Sequence, residues 1–479
     1  MDFGKLFGKK KKEAVDIPEL DSISLSKDEM AELLKVSPEA LEAFEAAYNK
    51  EVLSHPFQDL LDPAIRQKAS KAKEETKDTD ISSAQPLIER IVEELVGQTK
   101  VYVYDGEEPQ VLSFPALPDA SMLAPEDVNS LQGALRPNLT GALMQKDVNG
   151  DTAGVLLWYY KRMMAETDPK KKQFCYNHFR QGLDILDLDG ITYEIIGTNK
   201  NSMGHWLPPL VEACRTQSFF KIPKTRVAKV PLTMLQLTRL QYESLTPTTL
   251  RIVDEWAKKV FALDPNGEYF VKTGTFSSKF DFRNAHVAGK EVNDLGEYLL
   301  FVHYQALQMA SPLCTPCIYG VSTTNEWVVR EFIPDKEQNL CIYKGMPLHT
   351  EYRVFVDCDS DEVLAIAPYW DPETMKKRFA SGSEKSPHDA HDYVIYKAHE
   401  ETLMRRYHEN CEKVKEKVRE MLPSLNLTGQ WSVDIMQNGD DFWLIDMAVA
   451  ESSAFYDHVP QELRRPMPED WIPRLEEAK

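Results

Sequence analysis

The chain has 479 residues, 42% of them hydrophobic and 28% charged, enough for about two to four folded units of ~100–200 residues each. Its 56 Lys and Arg stand against 76 Asp and Glu, a formal net charge of -20. That balance argues against general affinity for nucleic acid or anionic membranes, while a local basic pocket for one small anion stays compatible with it. No apolar run reaches the ~18 residues of a bilayer span, and the N-terminus lacks the apolar middle of a signal peptide. Seven scattered cysteines suit a reducing compartment. The expectation is a cytoplasmic protein without a membrane partner.

Residues 1–83 read as a basic tail carrying Lys9 to Lys12, a helical segment over 26–66 and a charged linker over 67–83. Residues 84–189 read as mostly helical. A helix over 86–96 and a strand over 100–104 open the region, 105–150 is loop-rich, and helical spacing marks 155–186. From 190 to 460 strands dominate. The sequence predicts a strand over 191–196, a helix over 207–214 begun by Pro208-Pro209, a strand ending through 219–225 and a helix over 246–261. Strands over 269–272, 327–333, 351–356, 431–437 and 442–449 follow, with helices over 292–309 and 399–422 between them. Strands and helices out of strict alternation predict an α+β fold with mainly antiparallel sheets, and 461–479 is a tail.

Four stretches carry chemistry. In Glu268-Tyr269-Phe270-Val271-Lys272-Thr273-Gly274-Thr275-Phe276-Ser277-Ser278-Lys279 an apolar strand ends on Lys272, and a small hydroxyl-rich loop leads to Lys279. Two ammonium groups plus N–H and hydroxyl donors suit phosphate oxygens; a lysine-flanked surface hairpin is the other reading. Trp327-Val328-Val329-Arg330-Glu331-Phe332-Ile333-Pro334 ends at a proline that cannot donate to a ladder, leaving main-chain groups for an adenine edge. In Glu351-Tyr352-Arg353-Val354-Phe355-Val356 a period of two puts Glu351, Arg353 and Phe355 on one face and the apolar set on the other. An exposed structural ion pair would account for that as well. Last, Asp434 and Asp446 are symmetric about Asp440, so an odd loop centred there sets them opposite each other. Opposed like charges destabilise a sheet unless something such as Mg²⁺ sits between them. An even loop would send them to opposite faces.

Taken in order over roughly 190–460, these pieces resemble the ATP-grasp superfamily. Ile222-Pro223-Lys224-Thr225 looks like the strand end that enters the lysine-bearing domain of tubulin-ligase-type relatives. The lysine pair and the text EYRVFVDCDSDEVLAIAPYWDP look most like the bacterial and phage clade defined by one arginine and two lysines, and like the cell-division-cycle D-type assembly factors. The resemblance implies two α+β subdomains clamping a nucleotide behind a helical N-terminal extension. Residues 190–265 would be the leading part of that core, 266–335 the small lysine-bearing subdomain and 336–460 the large one. It implies that Lys272 and Lys279 hold ATP phosphates, and that the main chain at Glu331, Phe332 and Ile333, beside Arg330, meets adenine. Arg353 would steady the transferred phosphoryl group, and Asp434 and Asp446 would hold Mg²⁺.

Two positions depart from the family pattern. Many relatives carry an acid where Arg330 stands, and the Asn usual two residues after the second metal acid is Ala448, with Glu451 the nearest substitute ligand. The implied activity is a carboxylate–amine ligase working through an acyl phosphate, with peptides or proteins among its candidate substrates. The alternative is an ATP-binding assembly factor that clamps a partner protein with little or no turnover. RNA end modification by the same fold is a third reading, opposed by the net charge. Cys314 and Cys317 have a zinc-knuckle spacing without the second pair that a four-ligand site takes, and the run His388-Asp389-Ala390-His391-Asp392 reads as a mobile loop.

Overall fold

The structure, a computed structural model, describes residues 85–115, 166–168, 188, 193, 196–215, 217–239, 245, 247–310, 318, 320–380 and 387–465. The expected tail, helix and linker over 1–83, the Cys314/Cys317 pair and most of the helical text over 155–186 lie outside these residues. Within that last stretch Glu166 to Asp168 are irregular, and the Glu166 carboxylate accepts the N–H groups of Thr167 and Asp168.

Helix α1 (Gln85–Gly97) carries Ile88, Ile91, Val92 and Leu95 at i, i+3, i+4 and i+7, and all four are buried. It is followed by β1 (Lys100–Tyr104) and β2 (Gln110–Ser113), the latter a strand that the loop-rich text over 105–150 concealed. Next come α2 (Met203–Cys214), β3 (Phe220–Lys221), β4 (Thr225–Lys229), α3 (Leu232–Leu235), α4 (Pro247–Phe261), β5 (Glu268–Thr273), β6 (His286–Ala288), α5 (Leu295–Ala310) and β7 (Glu326–Glu331). Six of these strands form one sheet in the order β2-β1-β4-β7-β5-β6, every pair antiparallel. Strands β1 and β2 therefore complete the lysine-bearing sheet. Helices α1, α4 and α5 cover one face of it, where Trp256 and Trp327 pack edge to face at 5.6 Å.

A short hairpin, β8 (Cys341–Ile342) with β9 (Met346–Pro347), leads into β10 (Thr350–Asp357) and β11 (Glu362–Pro368). Helices α6 (Pro372–Ala380) and α7 (Pro387–Met421) precede β12 (Gln430–Asn438) and β13 (Asp441–Val449). The second sheet runs β11-β10-β12-β13-β3, antiparallel except where β3 joins β13. Tyr352, Val354, Val356, Val433, Ile435, Leu444 and Met447 turn one face of it into a core shared with α2 and α7. The α+β class and the mainly antiparallel pairing agree with the sequence reading.

Several expected elements differ. Tyr193 and Ile196, in the expected strand over 191–196, are helical; three apart, both meet the same core, which a helix face allows. Helix α2 starts at Met203, so Pro208 and Pro209 lie inside it. Its start is fixed by tertiary bonds instead, from the Met203 N–H to Gly274 O at 2.9 Å and from the Gly204 N–H to Glu326 Oε2 at 2.8 Å. The run 219–225 is split between β3 and β4, which belong to different sheets, with Ile222-Pro223-Lys224 crossing between them. Strand β11 was not expected. The run 388–392 opens α7 instead of forming a loop, and the Asp392 carboxylate accepts the Tyr343 N–H at 3.0 Å.

Candidate nucleotide site

Alternation along β5 sends Val271 into the helix-backed core and leaves Phe270 and Lys272 on the opposite face. Val328 and Arg330 of β7 are their cross-strand partners. That face looks onto the polar face of the second sheet, where Glu351, Arg353, Asp434 and Asp446 stand. Between them lies a cavity of about 550 Å³, within the range that small-molecule sites occupy. Lys272, Lys279, Arg330, Glu331, Phe332, Ile333, Arg353, Asp434 and Asp446 all line it; Glu451, on the single turn Ala450–Ser452, does not.

The opposed aspartates arise by a different route from the expected one. The β12–β13 turn is even, with Asn438 facing Asp441 across Gly439-Asp440, and Gly439 at φ +65° takes the left-handed position that glycine tolerates. Such a turn alone would pair Asp434 with Ile445. A β-bulge between the Ile435–Leu444 and Asp434–Asp446 pairs inserts Ile445 as an extra residue. The bulge restores Asp446 to the position opposite Asp434. It also turns Ile445 toward the cavity and directs its carbonyl to Arg330, whose NH1 donates to it while NH2 donates to Leu444 O at 3.3 Å. Arg330 thus ties β7 to β13, and those donors are not available to a base.

Arg353 lies opposite Asp434 in the β10–β12 register and holds it in a two-pronged pair, Nε to Oδ1 at 2.8 Å and NH2 to Oδ2 at 2.6 Å. The cross-strand acid thus displaces Glu351, the in-strand neighbour, as Arg353's partner. Lys272, 2% exposed, reaches Asp446 Oδ1 at 3.1 Å. Burial pulls the Lys272 pKa below the ordinary lysine range, with Arg330 and Lys279 adding repulsion and Asp446 opposing both. Burial also pulls Arg330 down, to about 10. Lys279 loses charge stability to burial too, but Tyr369, Glu351 and Asp434 outweigh that and raise its pKa. Glu351, 8% exposed, is pushed up to about 7 by burial, against the pull of Lys279 and Arg353. Arg353 is held strongly protonated, since Asp434 outweighs the cost of its burial.

The loop after Lys272 uses its donors internally. The Thr273 hydroxyl accepts the N–H groups of Thr275 and Phe276, the Thr275 hydroxyl donates to Val321 O, and Ser278 bonds Gln305. Phosphate would therefore meet the lysine and arginine side chains more than the loop. Phe270, Phe276, Phe332, Met436 and Ile445 supply the apolar part of the lining. The Glu331 and Phe332 N–H groups are bonded to Lys224 O and Glu268 O, so neither of those donors is available to a base edge. Asp434 and Asp446 give two oxygen donors on one face, a number that suits Mg²⁺ completed by phosphates and water. Among the described residues no three His, Cys, Asp or Glu side chains cluster into a fuller metal site.

Sequence reasoning missed Tyr369, Met436 and Ile445. Tyr369 follows an unexpected strand. Met436 and Ile445 reach the cavity only through the register of β12 and β13.

No protein-family model matches the chain, and no curated protein does. Among solved structures, C-terminally truncated Cdc123 from Schizosaccharomyces pombe superposes with a TM-score of 0.33 at 13% identity, covering 57% of this chain and 96% of that one. Cdc123 from the same organism gives 0.32 at 14% identity, covering 56% and 93%. Likenesses at that level assign neither a family nor a role.

Proposed function

We propose that the cleft binds ATP in an ATP-grasp-like arrangement and that the protein acts as a nucleotide-dependent clamp on a partner protein, with little or no turnover. One observation carries the nucleotide reading. Lys272, Lys279, Arg330 and Arg353 converge from four separate elements on a single cavity whose lining also includes apolar walls. Their four positive charges share the cavity with Glu331, Glu351, Asp434 and Asp446. Glu331 also pairs with Lys224 at 3.6 Å and the Glu351 pKa is raised to about 7, which leaves a local positive balance that a polyphosphate would neutralise. When bound, Mg²⁺ would supply further charge neutralisation at the phosphates, held by Asp434 and Asp446. Lys272 and Lys279 would hold phosphate oxygens, Arg353 would orient the terminal one, and Ile333 would meet the base. Positioning and charge neutralisation are the whole of what this side-chain set provides.

Binding is favoured over transfer because the cavity wall two residues beyond Asp446 is the methyl group of Ala448, which offers no metal ligand. The second reading, a carboxylate–amine ligase, draws on Arg353 standing beside the paired acids. Calorimetric titration with ATP, followed by assay for ADP and phosphate with and without carboxylate and amine mixtures, tests both. Micromolar-range binding without product supports the clamp, and product formed only with added substrates supports the ligase. No ATP binding at all would refute the nucleotide site.

A further inference from the structure

Tyr369 stands just past β11, on the second sheet, with its N–H donated to Glu351 O at 3.0 Å. Its ring lines the cavity and meets two cations that come from different parts of the fold. Lys279 Nζ lies 3.9 Å from the ring centroid and also bonds the phenol oxygen, while the Arg353 guanidinium carbon lies 4.8 Å from the same centroid. The ring itself is anchored. Trp370, 2% exposed, abuts it edge-on at 5.1 Å, and Trp370 O accepts the Tyr396 hydroxyl at 2.9 Å. Lys279 opens the kinked helical segment Lys279–Asn284 that leads from β5 to β6, so the ring links the lysine-bearing sheet to the acid-bearing one.

Two cations brought to one cavity repel each other, and among the described residues Lys279, unlike Lys272, has no carboxylate within salt-bridge distance. An aromatic face attracts a cation through its quadrupole and does so more strongly where water is excluded. We propose that Tyr369 is a positioning residue, which holds Lys279 and Arg353 at the spacing a triphosphate needs before the nucleotide arrives. This rests on the nucleotide reading and deepens it. The ring would matter for the charged end of the ligand and be indifferent to the base.

Calorimetry on the full chain with ATP and with adenosine, for wild type, Tyr369→Leu and Tyr369→Phe, tests this. Tyr369→Leu should weaken ATP about tenfold, the effect of losing two partly buried cation–ring contacts, and leave adenosine unchanged. Tyr369→Phe keeps the ring and should recover most of the loss. Combining Tyr369→Leu with Lys279→Met should weaken ATP by less than the product of the single effects. Tyr369→Met replaces the leucine variant if that one fails to fold. Equal loss for ATP and adenosine, no loss in the leucine variant, or independent effects in the double variant would overturn the positioning role while nucleotide binding stood. Failure of wild type to bind either ligand would overturn both.

Discussion

The ion pair between Lys272 and Asp446 gives a prediction whose sign is unusual. Removing a proposed metal ligand should tighten the binding of ATP when no metal is present. Lys272 is engaged 3.1 Å from Asp446, so a phosphate would have to displace the carboxylate to use the lysine. Unit charges at that distance attract by about 5 kcal/mol at an effective dielectric of ~20 and by about 1.3 kcal/mol in bulk water. Asp446 is 39% exposed, which places the pair toward the screened end, at about 1–2 kcal/mol. Asp446→Asn removes that competition, and metal-free ATP should bind about tenfold tighter. Adding Mg²⁺ should strengthen ATP binding markedly in wild type and far less in the variant. Titration calorimetry with EDTA and with excess Mg²⁺, on both proteins at one pH, yields the four constants. If metal-free ATP bound Asp446→Asn no better than wild type, the exchange of partners would be wrong, whatever became of the metal-dependent affinity.

Lys272→Ala should reduce ATP affinity at least a hundredfold by the same titration, because it removes the most deeply buried cation of the cavity. Glu351 carries a pH signature. Its pKa in the folded chain is raised from 4.5 to about 7, so the stability tied to its proton is full below pH 4.5 and is lost as the pH rises through about 7. Glu351→Gln should therefore be up to ~3 kcal/mol more stable than wild type at pH 8 and no more stable at pH 4.5, as read from urea melts. Gly274→Ala would place a methyl group 2.5 Å from Thr324 Oγ1 and 2.8 Å from Glu326 Oε2. Thermal melts should show a loss of ~1–3 kcal/mol, since Glu326 is also bound to the start of α2 and has no room to retreat.

What the sequence made legible was local. Lys272 and Arg330 stood out at the ends of apolar strands, Arg353 by period-two alternation, and Asp434 and Asp446 by their symmetry about Asp440, and the structure brings all five to one cavity. The pairing of the two aspartates was expected from an odd loop, yet the turn is even and a bulge supplies the shift. A one-residue insertion leaves no mark in composition. The strand text over 191–196 misled because Tyr193 and Ile196 suit a helix face as well as a strand, and packing against the first sheet's core decided between them. The run 219–225 looked like one strand because hydrophobicity cannot report that a chain changes sheets. Tyr369 was hidden for a related reason. Its importance lies in which cations reach it, and those come from residues 90 and 16 positions away in the chain.

Only Ile222-Pro223-Lys224 separate β3 in one sheet from β4 in the other, a tether of ~10 Å even when drawn straight. The Glu331 N–H bonds Lys224 O at 2.8 Å and secures the same place. The two walls cannot part there. Strand β11 lies four strands away from β3, roughly 19 Å across the sheet. Tyr369, just past β11, bonds Lys279 across the cavity, so the two sheets are joined at both margins of the second one, by the chain at β3 and by a side-chain contact at β11.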